Sequence, residues 1–152
     1  MLWSPRTGRT GIPAFWDASA LVPLCVPGLG GARGRQLRRD HKPVVWWTTS
    51  VEVASAIARL KREGFLDPEK ARAAAGRLEM LRRAWREVQP VSEVRESAEV
   101  QVERYELRAA DALQLAAALV WCRKRPKGRN FLCRDRRLSQ AAQQAGFTVI
   151  EF

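Results

Sequence analysis

Apolar residues in this chain come in two spacings that take turns along its length. The run Val44-Val45-Trp46-Trp47 is continuous, as a strand covered on both faces should be. The next segment changes rhythm: Val53, Ala56, Ile57 and Leu60 fall on one face of a helix that Thr49 or Ser50 can cap and Gly64 ends. Pro68 opens a further helix to about Arg86, with Ala71, Ala74, Ala75, Leu78 and Leu81 directed inward. The same reading gives strands at about 13–17, 43–48, 88–91, 131–133 and 147–150. It also gives a short helix ending near Pro27, one from Ser92 to about Tyr105 with Glu96 placed loosely like a capping box, and one over Arg136–Ala145 ended by Gly146. The segment Ala109 to about Arg123 is apolar nearly all round and is expected to be the central helix. Gly28 to Lys42, rich in Gly and Arg, reads as a loop.

Strands alternating with helices imply a mostly parallel sheet with helices on both faces, a three-layer α/β/α sandwich. The 152 residues suit one domain with one real core. The expected domain covers 13–152, behind a flexible N-terminal extension over 1–12. There is no internal repeat and no interdomain linker.

Composition narrows the class. At 46% hydrophobic residues the chain is globular, and no apolar run approaches the roughly 20 residues of a membrane span. The N-terminal residues lack a secretory signal, so a cytoplasmic location is expected. Cys25, Cys122 and Cys133 are widely spaced in apolar contexts, which suits reduced, buried thiols and not a disulfide framework. With one histidine and no CxxC pair, a structural zinc site is excluded. Lys and Arg outnumber Asp and Glu by 27 to 16, a formal charge of +11, mostly as arginine. That excess favours a nucleic acid or an acidic protein as partner.

Against this basic background, four acids stand where an acid is awkward: Asp17, Glu52, Asp111 and Asp135. Asp17 and Asp135 follow expected strands, and Glu52 and Asp111 fall in first helical turns. In open α/β sheets, sites form beyond the carboxyl ends of the strands, so all four can meet at one edge. Taken singly, each acid can equally be a helix cap or a first-turn acid. Taken together, four clustered carboxylates repel unless a cation neutralises them or one takes a proton. Oxygen ligands of this kind select Mg²⁺ or Mn²⁺ over zinc.

The segments carrying these acids resemble the motifs of PIN domains, in particular VapC-type toxins. They are Phe15-Trp16-Asp17-Ala18-Ser19-Ala20-Leu21-Val22, Ser50-Val51-Glu52-Val53-Ala54-Ser55-Ala56-Ile57, Leu107-Arg108-Ala109-Ala110-Asp111-Ala112-Leu113-Gln114-Leu115-Ala116 and Phe131-Leu132-Cys133-Arg134-Asp135-Arg136-Arg137-Leu138. Order and spacing agree from about residue 14 to 150, and the third segment is the most diagnostic. The resemblance implies a PIN-like fold and a Mg²⁺-dependent endoribonuclease toxin of a type II toxin–antitoxin pair, with Mn²⁺ able to substitute. It implies cleavage of structured RNA, a transfer RNA or ribosomal RNA, by metal-activated water attack that leaves a 5′-phosphate and a 3′-hydroxyl. It implies a homodimer and a cognate antitoxin whose tail enters the acidic site. Asp17, Glu52, Asp111 and Asp135 take the places of the family's metal-binding and catalytic acids, and Ser19 that of its supporting hydroxyl. Cys133 departs from the Thr or Ser common at that place, which puts a supporting hydrogen bond in doubt.

Arg108, Arg136 and Arg137 neighbour the acids and are candidate contacts to RNA or antitoxin, or ordinary solvated charge. Among six tryptophans, Trp47 alone lies near the expected site edge and is a candidate for base stacking. His41, in the Gly/Arg segment, is expected to be a surface residue without a catalytic role. Three other classes fit less well. Gly28-Leu29-Gly30-Gly31-Ala32-Arg33-Gly34 lacks the third glycine of a dinucleotide fingerprint and follows a helix, not a strand. An acid-based phosphatase would want a second Asp where Ser19 stands. A structure-specific DNA nuclease would want extra acids and inserted helices. The remaining alternative is a catalytically weak PIN-fold module that binds RNA or an antitoxin.

Overall fold

The computed structural model describes residues 11–152. Most of the extension expected over 1–12, and Trp3 with it, lies outside the described residues; Ile12 already belongs to the first strand. The elements run β1 (Ile12–Trp16), α1 (Ala18–Cys25), α2 (Gly31–Asp40), β2 (His41–Trp46), α3 (Thr49–Arg62), α4 (Pro68–Ala84), β3 (Arg86–Val88), α5 (Ser92–Tyr105), α6 (Ala109–Trp121), β4 (Asn130–Leu132), α7 (Arg136–Ala145) and β5 (Thr148–Ile150). The five strands form one sheet in the order β3-β2-β1-β4-β5, and every pairing is parallel. The expected three-layer α/β/α arrangement is what the chain adopts.

Period-2 alternation assigns the strand side chains to two cores. Phe15, Val44, Trp46 and Phe131 point toward α5, α6 and α7, where Val94, Leu115, Leu138 and Ala142 meet them. Ala14, Trp16, Val45 and Leu132 point the other way, toward α1, α3 and α4, where Leu21, Val53, Ile57 and Leu78 lie. A strand buried on both faces has no polar positions to spare, which is why its sequence reads as an unbroken apolar run. α6 holds five buried residues in succession, Gln114 to Ala118, and is the central helix.

Four details differ from expectation. The supposed loop contains α2, in which only Gly34 and Leu37 are buried. A Cβ on Gly34 would sit 3.2 Å from Leu24 Cδ2 and 3.5 Å from the Phe152 ring. The helix therefore docks by close backbone approach, and a contact made by a missing side chain leaves no apolar periodicity to read. β3 starts at Arg86 and ends at Val88, because pairing follows Val44–Trp46 of β2 and Pro90 has no amide to donate. Ala75 is exposed on α4. Neither expected serine or threonine cap forms: Thr48 precedes α3 and Val91 precedes α5, without side-chain cap bonds.

The chain reverses direction across the sheet at β1. From there β2 and β3 are added on one side, β4 and β5 on the other. The crevice between β1 and β4 is thus a topological switch point, where ligands bind in folds of this kind.

Candidate active site

At that crevice a cleft of about 390 Å³ is lined by all four predicted acids, with Ser19, Arg59 and Arg134 at its walls. Four separated segments supply the acids, and each does so for a local reason. Asp17 follows β1 and caps α1, its Oδ2 accepting from the Ser19 amide at 3.0 Å. Asp135 caps α7, its Oδ1 accepting from the Leu138 amide at 2.8 Å. Glu52 and Asp111 stand in the first turns of α3 and α6. Cap and cleft wall are therefore one role for Asp17 and Asp135, not alternatives.

The acids feel one another. Asp17 is 5% exposed, and burial pushes its carboxyl above the ordinary range; hydrogen bonds from Ser19 and Ala18 oppose the rise and Asp135 adds to it. Glu52 is raised by burial, lowered by Thr48 and Gln114, and raised again by Asp17 and Asp111. Asp111 is raised by burial and by Asp135 and Asp17, and lowered by Arg108 and Arg137. None of the four is in an ion pair among the described residues. Three carboxylates with raised affinity for a proton share a cleft, and a cation of higher charge relieves the same repulsion.

The donor set is oxygen only, which suits a hard divalent ion. Among the described residues, no three His, Cys, Asp or Glu side chains already converge so as to hold a metal ion.

Gln114 was not singled out from the sequence. It is fully buried. Its Nε2 lies 3.2 Å and 3.1 Å from the two Glu52 oxygens and 3.2 Å from Thr49 Oγ1. Thr48 Oγ1 donates to Glu52 Oε1 at 2.9 Å. The signal was present: a glutamine three residues after Asp111, inside an otherwise apolar stretch of α6. A buried amide needs partners, and a carboxylate is the strongest acceptor available.

Cys133 stands at the other wall. Its Sγ lies 3.8 Å from Asp17 Oδ2, 3.6 Å from Ser19 Oγ and 3.4 Å from the Asp135 carbonyl oxygen, and accepts from the Asp135 amide at 3.3 Å. Burial, then the Asp17 charge, pushes the thiol up to about 12, so it stays neutral and unreactive. The supporting bond placed in doubt is thus a set of weak sulfur contacts. Ser19 is a second link, its Oγ accepting from the Arg134 amide at 2.8 Å.

The arginines lining the cleft are Arg59 and Arg134, neither of them predicted. Arg108 and Arg137 do not line it, though their charges reach Asp111. Arg136 faces a neighbouring concavity. Trp47 is 50% exposed and is not in the cleft wall. His41 begins β2, at the far end of that strand from the acids, with Nδ1 3.1 Å from the Leu37 carbonyl oxygen.

No family model matches the sequence, and no curated protein matches it significantly. Solved structures share the fold. PAE2754 from Pyrobaculum aerophilum superposes with a TM-score of 0.64 at 18% identity, over 93% of this chain and 92% of that one. A toxin–antitoxin complex from Klebsiella pneumoniae contains a chain that superposes with a TM-score of 0.56 at 17% identity, over 80% of this chain and 86% of that one.

Proposed function

We propose that this protein is a Mg²⁺- or Mn²⁺-dependent endoribonuclease, the toxin of a toxin–antitoxin pair, neutralised by a partner protein and working as a homodimer. The observation that carries the reading is the meeting of Asp17, Glu52, Asp111 and Asp135 in one cleft of a protein with net charge +11. The fold shared with a chain of a toxin–antitoxin complex agrees with it.

Asp17, Asp111 and Asp135 would hold the ion, directly or through water, and Glu52 would complete its surroundings or orient the attacking water. A bound divalent ion supplies a water acidic enough to act as nucleophile and positive charge for the phosphate in the transition state. The remaining work falls to the chain. Gln114 and Thr48 fix the Glu52 carboxylate in one orientation. The Ser19 amide does the same for Asp17. Arg59 and Arg134 offset the charge of a phosphodiester brought against four acids.

The test is incubation of total cellular RNA with purified, partner-free protein, in Mg²⁺ or Mn²⁺ against EDTA, beside Asp111→Asn. Discrete fragments that require the ion and vanish in the variant are expected. Intact RNA after incubation with folded wild type would sink the nuclease reading and leave a binding module.

A further inference from the structure

The acid cleft does not end at Arg134. That residue is also part of the wall of a larger concavity, about 890 Å³, on the other side of it. α7 and the edge strand β5 form this second hollow, with Arg136, Gln140 and Gln143 on one side and Phe152 on the other. Its charge is opposite in character to the cleft: two arginines against one acid, Glu151. The Arg134 guanidinium lies 5.8 Å from the centroid of the Phe152 ring. Phe152 is anchored from behind, its ring 6.3 Å from buried Trp16 and against the bare backbone of Gly34. The hollow thus offers two exposed cations, a half-buried aromatic ring backed by Trp16 and Gly34, and two side-chain amides at adjacent turns of α7.

We propose that this concavity binds the single-stranded RNA flanking the scissile phosphate, so that the strand crosses Arg134 on leaving the cleft. The inference rests on the nuclease reading for its substrate, and it adds where the substrate goes. Phosphates answer to Arg134 and Arg136, a base stacks at Phe152, and Gln140 and Gln143 reach base edges or 2′-hydroxyls. An extended acidic peptide is the competing occupant. It is less well served, because apolar lining is limited to Val149 and Phe152 and offers few pockets for anchoring side chains.

Binding of a fluorescent single-stranded RNA of about a dozen nucleotides, measured in EDTA across a salt series, tests the hollow without any cleavage. Arg136→Ala should weaken binding and lower the salt slope by about one. Phe152→Leu keeps an apolar side chain against Trp16 and should weaken binding about tenfold. In the divalent ion, both variants should raise KM for the long RNA by more than they lower kcat. Wild-type affinity and slope in both variants would overturn the proposal, whether or not the protein cleaves. A loss confined to an acidic peptide, with RNA binding intact, would overturn it in favour of the peptide. Failure of wild type to cleave, with the RNA losses present, would remove the nuclease reading and leave the RNA site standing.

Discussion

The two walls of the acid cleft are built differently. On one wall Glu52 is held by nitrogen and oxygen donors at 2.9 to 3.2 Å, from Thr48 and Gln114. On the other, Asp17 leans on the start of the helix it caps, with the Ser19 amide at 3.0 Å and further support from Ala18 and the Ser19 hydroxyl, while the thiol stands off at 3.8 Å. Charge-assisted bonds to amides and hydroxyls fix orientation, whereas a neutral thiol is a weak donor that mainly fills space. Glu52 is therefore oriented by its partners. Asp17 is oriented by the backbone donors of the helix it caps, and among its neighbours the Cys133 thiol matters least.

That contrast can be broken in graded steps. Asp111→Asn removes an acid that lines the cleft and whose charge reaches Glu52; metal-dependent cleavage should fall by at least about a hundredfold. Gln114→Leu removes the amide that holds Glu52 while keeping volume, and divalent affinity or turnover should drop about 10- to 100-fold, the range for groups that orient ligands. Calorimetric titration of Mn²⁺ reads the affinity, and an unchanged thermal melt of the variant separates that effect from a loss of fold.

The next step is in pH. Asp17, Glu52 and Asp111 all bind protons more readily in the folded chain than in the unfolded one. The folded state then carries more protons, so their contribution to stability declines as pH rises through and above the ordinary carboxylate range. Divalent-free protein should show Tm falling as pH rises above the ordinary carboxylate range, about pH 4. Asn caps a helix about as well as Asp, so Asp17→Asn should flatten that fall and raise Tm at pH 7.5. An unchanged slope in the variant would mean that Asp17 is not a strained charge.

Cys133→Ala should be the mildest change at the cleft, altering divalent affinity less than about threefold, because what it removes is a set of long sulfur contacts. A drop as large as that of Gln114→Leu would erase the contrast between the walls. His41→Ala, at the far end of β2, should leave cleavage unchanged; loss of activity there would require a second site.

Sequence alone determined the layering and the four acids. Strands covered on both faces must be continuously apolar, and the helices between them must bury a face; those are local rules, readable one segment at a time. The acids were legible only as a set, because each one singly reads as a helix cap or first-turn acid. α2 was not readable, because it docks through Gly34 and a single leucine, Leu37, which together leave no hydrophobic period. Gln114 was visible as a misplaced amide, but its partners are 62 and 65 residues away. Arg134 was passed over beside Arg136 and Arg137, since adjacent arginines look alike until the fold decides which one faces the cleft. Only tertiary structure decided which polar groups meet, because parallel pairing brings together strand ends that lie far apart in the chain.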